Sequence, residues 1–438
     1  LYFSKFWEQY LLLKYSNHWR IDYVDFFTCG IKYRIMIYKS HQTLPAWTYT
    51  SDAFLELEKR HLFLNNWQLI CHSSNIPNAG DYFTFNFFNE RLVAIRNEND
   101  EINVFHNVCS HRATKLLEDD GNCGKRIRCP YHAWSYDLSG NLKSVPYEEQ
   151  FKNFDKEDHN LKPVQMEIFL GFIFAKINPS SAPSVADQFN PYLEELSLYK
   201  LEDIKPLGRV TIRPRDVNWK QVADNYVDAL HIPVAHPGLS GLVGNSYGIE
   251  LSEDGGFIHK MWGDLNKTRK KNLSNDLYKK LLPESEHLPK NKQMHWSYYR
   301  LWPNLAFDIY PDQMDFMQFI PINSRKTLIR EIPYALPDER REMKAARYLN
   351  WRINREVNAE DTELINFVQE GMETSAYSSG PLAESEICLI DSAEKIRNSI
   401  PVSCLEVEPD ADEIVKINEE LLENKDKKVK NIFDKKKT

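Results

Sequence analysis

Two short runs, Cys109-Ser110-His111 and Cys129-Pro130-Tyr131-His132, bring together four residues of metal-binding type. Two thiolates and two imidazoles suit an iron–sulfur cluster with unlike irons, thiolates holding one and neutral ring nitrogens the other. Replacing two anionic ligands by neutral ones raises the reduction potential above that of an all-cysteine cluster. Two loops must close over such a cluster, and Pro130, Gly121, Gly124 and Gly140 are residues that let loops turn tightly. The same donors could hold structural zinc, although zinc fingers usually space their ligands differently.

A second constellation lies downstream, in Asn218-Trp219-Lys220-Gln221-Val222-Ala223-Asp224-Asn225-Tyr226-Val227-Asp228-Ala229-Leu230-His231, followed by His236. Nothing from Asn218 to Leu230 breaks a helix, and Pro233 stops one. Helical spacing predicts Asp224, Asp228 and His231 on one face. Pro233 and Pro237 predict that the backbone has left the helix by His236, so that both rings can converge on one ion. Two imidazoles need one carboxylate to complete a facial triad for non-haem iron(II), with positions left open for dioxygen and substrate.

That carboxylate must come from far away, and Ala359-Glu360-Asp361-Thr362-Glu363 offers it. The run lies in a helix predicted from about Asp338 to Met372, with Ile353, Val357, Leu364, Ile365 and Val368 apolar. Glu360 and Asp361 flank that stripe at similar angles, so periodicity leaves both open.

In combination these motifs resemble those of the alpha (terminal oxygenase) subunits of the Rieske non-haem iron, or aromatic ring-hydroxylating, oxygenases. The resemblance covers residues 45 to 400 or so. It implies that Cys109, His111, Cys129 and His132 hold a Rieske-type 2Fe-2S cluster. It implies a mononuclear Fe(II) on His231, His236 and Asp361, with Glu360 as the alternative third ligand. Asp228 becomes the acid that links the iron site to His132 of a neighbouring subunit, and Asn225 joins it among the catalytic residues. Ala113 stands where a Gly is usual and Asp224 where Glu is commoner; neither is a ligand. Respiratory Rieske proteins carry an extra cysteine in each cluster loop, and here Tyr131 occupies one such place.

The fold implied is α+β: an antiparallel β Rieske domain plus a helix-grip (START/Bet v 1-like) catalytic domain. Short strands at Tyr82–Phe88 and Leu92–Arg96, a helix near Ser51–Asn65 and an apolar strand Ile168–Ile177 are predicted for the first. Helical segments around Asp187–Leu198, then strands Trp296–Leu301, Leu305–Tyr310, Phe316–Ile320 and Thr327–Ile332, are predicted for the second. The expected division is residues 1–44, an extension of unknown role; 45–179, the cluster domain; 180–405, the catalytic domain; and 406–438. The last part should be a helix with Ile414, Ile417 and Leu421 on one side, ending in a solvated, disordered Lys-rich tail.

Composition bounds the partners. In 438 residues, 42% are hydrophobic and the net charge is −8, which gives no reason to expect nucleic acid. Seven cysteines make no disulfide framework in a chain this long, so Cys29, Cys71, Cys123, Cys388 and Cys404 should stay reduced. No apolar run has the length of a membrane span, and a cytoplasmic address is expected from the absence of signals. No Gly-rich dinucleotide fingerprint follows a strand, so electrons from NAD(P)H should arrive through a separate reductase, with or without a ferredoxin. The implied protein is a homotrimeric mono- or dioxygenase that hydroxylates or N-demethylates a small organic substrate with dioxygen. Aromatics at Trp262, Trp296, Tyr298, Tyr299, Trp302, Phe307, Tyr310, Phe316 and Phe319 could cage a quaternary ammonium group or sandwich an aromatic ring, although most should be sheet core. A Rieske electron carrier or redox sensor with a vestigial iron site is the alternative from another class.

Overall fold

The computed structural model describes residues 22–28, 31–37, 41–244, 247–252, 256–265 and 272–435, the first two stretches and 425–435 by backbone alone. Strands Asp22–Thr28 and Ile31–Ile37 pair as an antiparallel hairpin. Cys29 and the rest of the expected N-terminal extension up to residue 40 lie outside the described residues.

The cluster-bearing part is built from short antiparallel strands. A four-stranded sheet runs in the order Ile102–His106, Glu90–Arg96, Asp81–Phe87, Asp120–Asn122. A three-stranded sheet of Leu142–Ser144, Ser135–Tyr136 and Ile127–Arg128 stands beside it. Val93, Ile95, Phe105, Ile127, Trp134 and Tyr136 form the apolar floor on which Cys109 and Cys129 sit, all buried. The single strand expected over Ile168–Ile177 is instead a hairpin, Gln165–Phe169 with Phe172–Lys176. Its turn is Leu170-Gly171, both at positive φ, and a Cβ on Gly171 would meet the His72 ring at 2.1 Å, so only glycine fits.

The second part is an eight-stranded antiparallel sheet followed by a helix. Gly248–Leu251, Ile258–Asp264, His295–Leu301, Leu305–Ile309, Met314–Asn323 and Lys326–Ala335 pair in sequence, and both Lys205–Pro206 and Thr211–Arg215 pair with the last. The strands Thr211–Arg215, Gly248–Leu251 and Ile258–Asp264 were not expected from the sequence. The long helix Arg341–Met372 follows the sheet, and the helix Trp219–Val227 packs between them. Sheet and helices together are the α+β arrangement expected. The C-terminal helix Ile414–Lys435 buries Ile414, Ile417 and Leu421 and continues, by its backbone, through the run read as a disordered tail. Among the described residues no helix is long and apolar enough to cross a membrane.

The largest core runs without a break from Leu57 and Phe63, through Trp219 and Val222, to Phe307 and Phe316. The helix Trp219–Val227 is thus gripped from both sides. Asn218 caps it, accepting from the Lys220 N–H, while its own amide group donates to the Ser324 carbonyl. Lys220 is buried and donates to Glu58 at 2.7 Å and to the Thr48 carbonyl at 3.0 Å. The Trp219 indole donates to the other Glu58 oxygen at 2.9 Å. Burial pushes Glu58 up and Lys220 down, so each keeps its charge through the other. Lys220→Met leaves a buried carboxylate without its counter-charge and is expected to cost about 3–5 kcal/mol of stability. Thermal and urea unfolding measure it, and Glu58→Gln in the Lys220→Met background should restore much of the loss.

Candidate active site

Each cluster loop is the same turn. The Ala113 N–H reaches back to the Cys109 carbonyl at 3.0 Å, and the Ala133 N–H to that of Cys129 at 3.1 Å. Cys109 N–H then bonds Thr114 O, and Cys129 N–H bonds Trp134 O. Ala113 and Ala133 close the turns at φ of 57° and 58°, the region where glycine is ordinarily used. The two loops bring the His111 and His132 rings to 4.7 Å between centroids. Trp134 stacks flat on His111 at 4.8 Å and fixes its plane.

The donor set fits a Rieske cluster on one observation in particular. The Nδ1 atoms of both His111 and His132 are buried and have no hydrogen-bond partner. Such lone nitrogens are costly unless something else binds them. Cys109 and Cys129 are buried and free of any disulfide. Tyr136, on the floor, places its hydroxyl 3.3 Å from the Cys109 sulfur and accepts from the Ser110 N–H at 3.1 Å. Burial, with the neighbouring thiol, pushes the Tyr136 hydroxyl up to about 12, so it stays protonated and able to donate.

The second site departs from the predicted helix. Trp219–Val227 ends one residue before Asp228, whose backbone is extended at φ −79°, ψ 129°. The reason is local: the Asp228 carboxylate accepts from the Leu230 N–H at 2.8 Å and so takes over the backbone's role. Asp224, Asp228 and His231 therefore do not share one helical face. His231 instead leads a one-turn helix, Ile232–Ala235, and His236 sits at the joint with the next, Pro237–Val243. The expectation that the backbone leaves the first helix before His236 and that the two rings converge does describe the structure.

His231, His236 and Asp361 bring one donor atom each within 4.8 Å of the others. The two Nε2 atoms are 3.1 Å apart, and Asp361 Oδ1 lies 2.8 Å from His236 Nε2 and 3.6 Å from that of His231. Donors at right angles on bonds of about 2.1 Å would stand about 3.0 Å apart, so the set has the dimensions of a facial triad. A carboxylate lies behind each ring. His231 Nδ1–H donates to Asp228 at 3.0 Å, and His236 Nδ1–H donates to Glu360 at 2.7 Å. Both imidazoles are thereby held in the tautomer that turns the Nε2 lone pair inward. Asp361 faces the donors while Glu360 stands outside them, a distinction that periodicity could not draw. Asn225 donates its amide to Asp361 Oδ1 at 2.8 Å and orients it.

The electrostatics agree with this division. Burial opposes ionisation of Asp361, but the two rings and Asn225 outweigh it and hold its carboxyl near 2. Burial also disfavours a charged His231, yet Asp228 and Asp361 raise it to about 9 in the absence of an ion. Asp228 stays below the ordinary carboxylate range, its burial outweighed by His231 and the backbone N–H groups.

Above these residues a cavity of about 110 Å³ is lined by Tyr226, Tyr247, Tyr298, Phe319, Met317 and Asp308. Of the aromatics singled out from the sequence only Tyr298 and Phe319 line it. Trp296, Tyr299, Phe307 and Phe316 are core. Asp308 is 7% exposed and was missed. It accepts from Tyr226 at 2.5 Å and Tyr310 at 3.3 Å, and burial raises it to about 6. The available signal was an acid in the middle of the otherwise apolar strand Leu305–Ile309.

Comparison with known proteins agrees. Residues 66–155 match the Rieske [2Fe-2S] domain, and residues 201–400 match the ring hydroxylating alpha subunit (catalytic domain). The chain is 32% identical over 345 residues to the carnitine monooxygenase oxygenase subunit of Escherichia coli K12, covering 76% of this chain and 85% of that one. It is 28% identical over 343 residues to the chloroplastic choline monooxygenase of Beta vulgaris, covering 77% and 72%. The quaternary ammonium Rieske monooxygenase CntA in complex with L-carnitine superposes with a TM-score of 0.67 at 25% identity, covering 82% of this chain and 95% of that one. Naphthalene 1,2-dioxygenase from a Rhodococcus species shares the fold, with a TM-score of 0.63 at 20% identity, covering 82% and 94%.

The chain belongs to the Rieske non-haem iron oxygenases, as an alpha or terminal oxygenase subunit. It is an oxidoreductase that incorporates oxygen from dioxygen, with a Rieske 2Fe-2S cluster and a mononuclear iron as cofactors and a separate reductase as electron source. Neither a zinc staple nor a carrier with a vestigial iron site describes it.

Two outcomes are expected from variants. Tyr136→Phe removes a hydrogen bond that strengthens as the cluster gains an electron, so the midpoint potential should fall. One hydrogen bond of about 0.5–1.5 kcal/mol corresponds to about 20–65 mV for one electron, read by voltammetry. Asp361→Ala should lower the ratio of iron to acid-labile sulfide while sparing the cluster. Glu360→Gln should leave that ratio near normal and weaken iron retention about 10- to 100-fold. The reverse pattern would exchange their roles.

Proposed function

We propose that this chain is the oxygenase component of a monooxygenase acting on a quaternary ammonium compound. The observation that carries the choice is the buried, tyrosine-lined carboxylate of Asp308 in the cavity beside the iron triad. A fixed cation finds there both a counter-charge and the faces of aromatic rings. A neutral aromatic substrate would add no counter-charge and leave the carboxylate to its two tyrosine hydroxyls. The relatives named for carnitine and choline point to the same chemical class.

In this reading Cys109, His111, Cys129 and His132 hold the cluster, and His231, His236 and Asp361 hold the iron. The bound iron supplies dioxygen activation with electrons relayed by the cluster. Asp228 fixes the His231 ring and extends to His132 of a neighbouring subunit, and Asn225 holds Asp361 in place. Leu230 and Val234, beside Asp228, are 52% and 86% exposed; Tyr131 and Tyr147, on the cluster side, are 57% and 72% exposed. A homotrimer in which one copy's cluster face covers the next copy's iron face would bury both. The division at residues 45–179 and 180–405, a ferredoxin between reductase and cluster, and a cytoplasmic site of action belong to the same proposal.

The test is Asp308→Asn. Substrate KM for a quaternary ammonium compound should rise about 10- to 100-fold, the worth of one charged interaction. In the parent enzyme Asp308 is ionised above about 6, so kcat/KM for the cation should fall as pH drops through that value. The variant should lose that pH limb. Equal turnover of choline and its uncharged isostere 3,3-dimethylbutan-1-ol by the parent would sink the reading.

A further inference from the structure

A larger cavity, about 420 Å³, has Tyr310 in its lining and shares no lining residue with the cavity at the iron triad. It is lined by the turn after strand Leu305–Ile309, the chain after strand Lys326–Ala335 and the start of the long helix. Leu201, Ile204, Ile309, Met314 and Met343 give it apolar walls.

Asp312, one of the lining residues, is 4% exposed. One of its oxygens accepts from Tyr278 at 2.6 Å and Asn350 at 3.3 Å. The other, Oδ2, is buried with no partner at all. Arg347 acts on this carboxyl through its charge, and its three nitrogens donate to the backbone carbonyls of Asp312, Leu336 and Asp338, at 3.0, 2.8 and 3.2 Å. A buried carboxylate oxygen left in this way calls for a donor from outside the chain. The charged lining residues are Asp312, Asp338 and Glu286 against Arg340 and Arg347, so the surplus is negative. Burial, with Lys200 nearby, lowers the His287 imidazole.

We propose that this cavity is a second small-molecule site, taking a protonated primary, secondary or tertiary amine with an apolar body. The N–H would satisfy Asp312 Oδ2. A quaternary ammonium group, which has no N–H, could not. The site is joined to the iron-side cavity by hydrogen bonds: Asn350 to Asp312, Asn354 to Asn350 at 2.8 Å, Asn354 to Tyr310 at 3.0 Å, and Tyr310 to Asp308.

Calorimetric titration of the holoenzyme with n-butylammonium and with butyltrimethylammonium separates the two sites. Butylammonium should bind a site weakened at least about 10-fold by Asp312→Asn and kept in Asp308→Asn. Butyltrimethylammonium binding should be untouched by Asp312→Asn. Butylammonium binding that ignores Asp312→Asn, or that vanishes with Asp308→Asn alone, overturns the second site. Butyltrimethylammonium binding that ignores Asp308→Asn counts against the proposed substrate class and leaves the second site standing. Should Asp312→Asn unfold the protein, Met343→Trp fills the cavity from the long helix and is held to the same criteria.

Discussion

The iron site depends on where one nine-residue helix begins, and a buried ion pair fixes that. Lys220 and Glu58 face each other at 2.7 Å with almost no solvent, one on the helix Trp219–Val227, the other at the end of the helix Asp52–Glu58. Two charges in such a place are tolerable only with their remaining hydrogen-bonding capacity filled, and Trp219 and Thr48 fill it. A slip of the helix by one residue would break all three of these hydrogen bonds at once. Asn225 and Asp228, later on the same segment, inherit that fixed register. Tyr49 adds a second tether by donating to Asp224 at 2.9 Å.

The same logic of fixed charge governs the triad. Asp228 and Glu360 each stand behind an imidazole, and Asp361 stands in front of both. Three carboxylates around two rings would repel one another strongly without positive charge between them. The rings supply it when protonated, and a divalent ion supplies it when the rings are neutral ligands. The arrangement is therefore electrostatically complete in either state, which suits a site that must keep its shape whether or not iron is bound.

Much of this was legible in the sequence because ligand types and short spacings survive without knowledge of the fold. Both metal motifs, many of the strands around them and the long acid-bearing helix could be placed from residue pattern alone. Three features of the iron site and its cavity could not. The helix break at Asp228 arises because a side chain competes with the backbone for the Leu230 N–H, and propensity cannot see that competition. Glu360 and Asp361 differ in role by the direction of one side chain relative to His236, which a helical wheel does not resolve. Asp308 is read from sequence as an oddity in a sheet, because its meaning comes from Tyr226, 82 residues away in the chain, and from the cavity that the two share.

The two metal sites are held by opposite means. The cluster loops repeat one backbone turn, closed by Ala113 and Ala133 in a conformation that costs a non-glycine residue about 1–2 kcal/mol. Their geometry is set by main-chain hydrogen bonds and a stacked tryptophan, and it depends little on the catalytic sheet. The iron triad instead takes its donors from segments that are remote in sequence, with side-chain hydrogen bonds supplying the alignment. Its precision draws on two cores, the one that runs from Leu57 to Phe316 and a second, of Val227, Ile232, Leu239 and Ile353, on which the His-bearing turns rest. A disturbance at the helix Asp52–Glu58 should thus reach the iron more readily than the cluster, although that helix precedes the cluster loops in the chain.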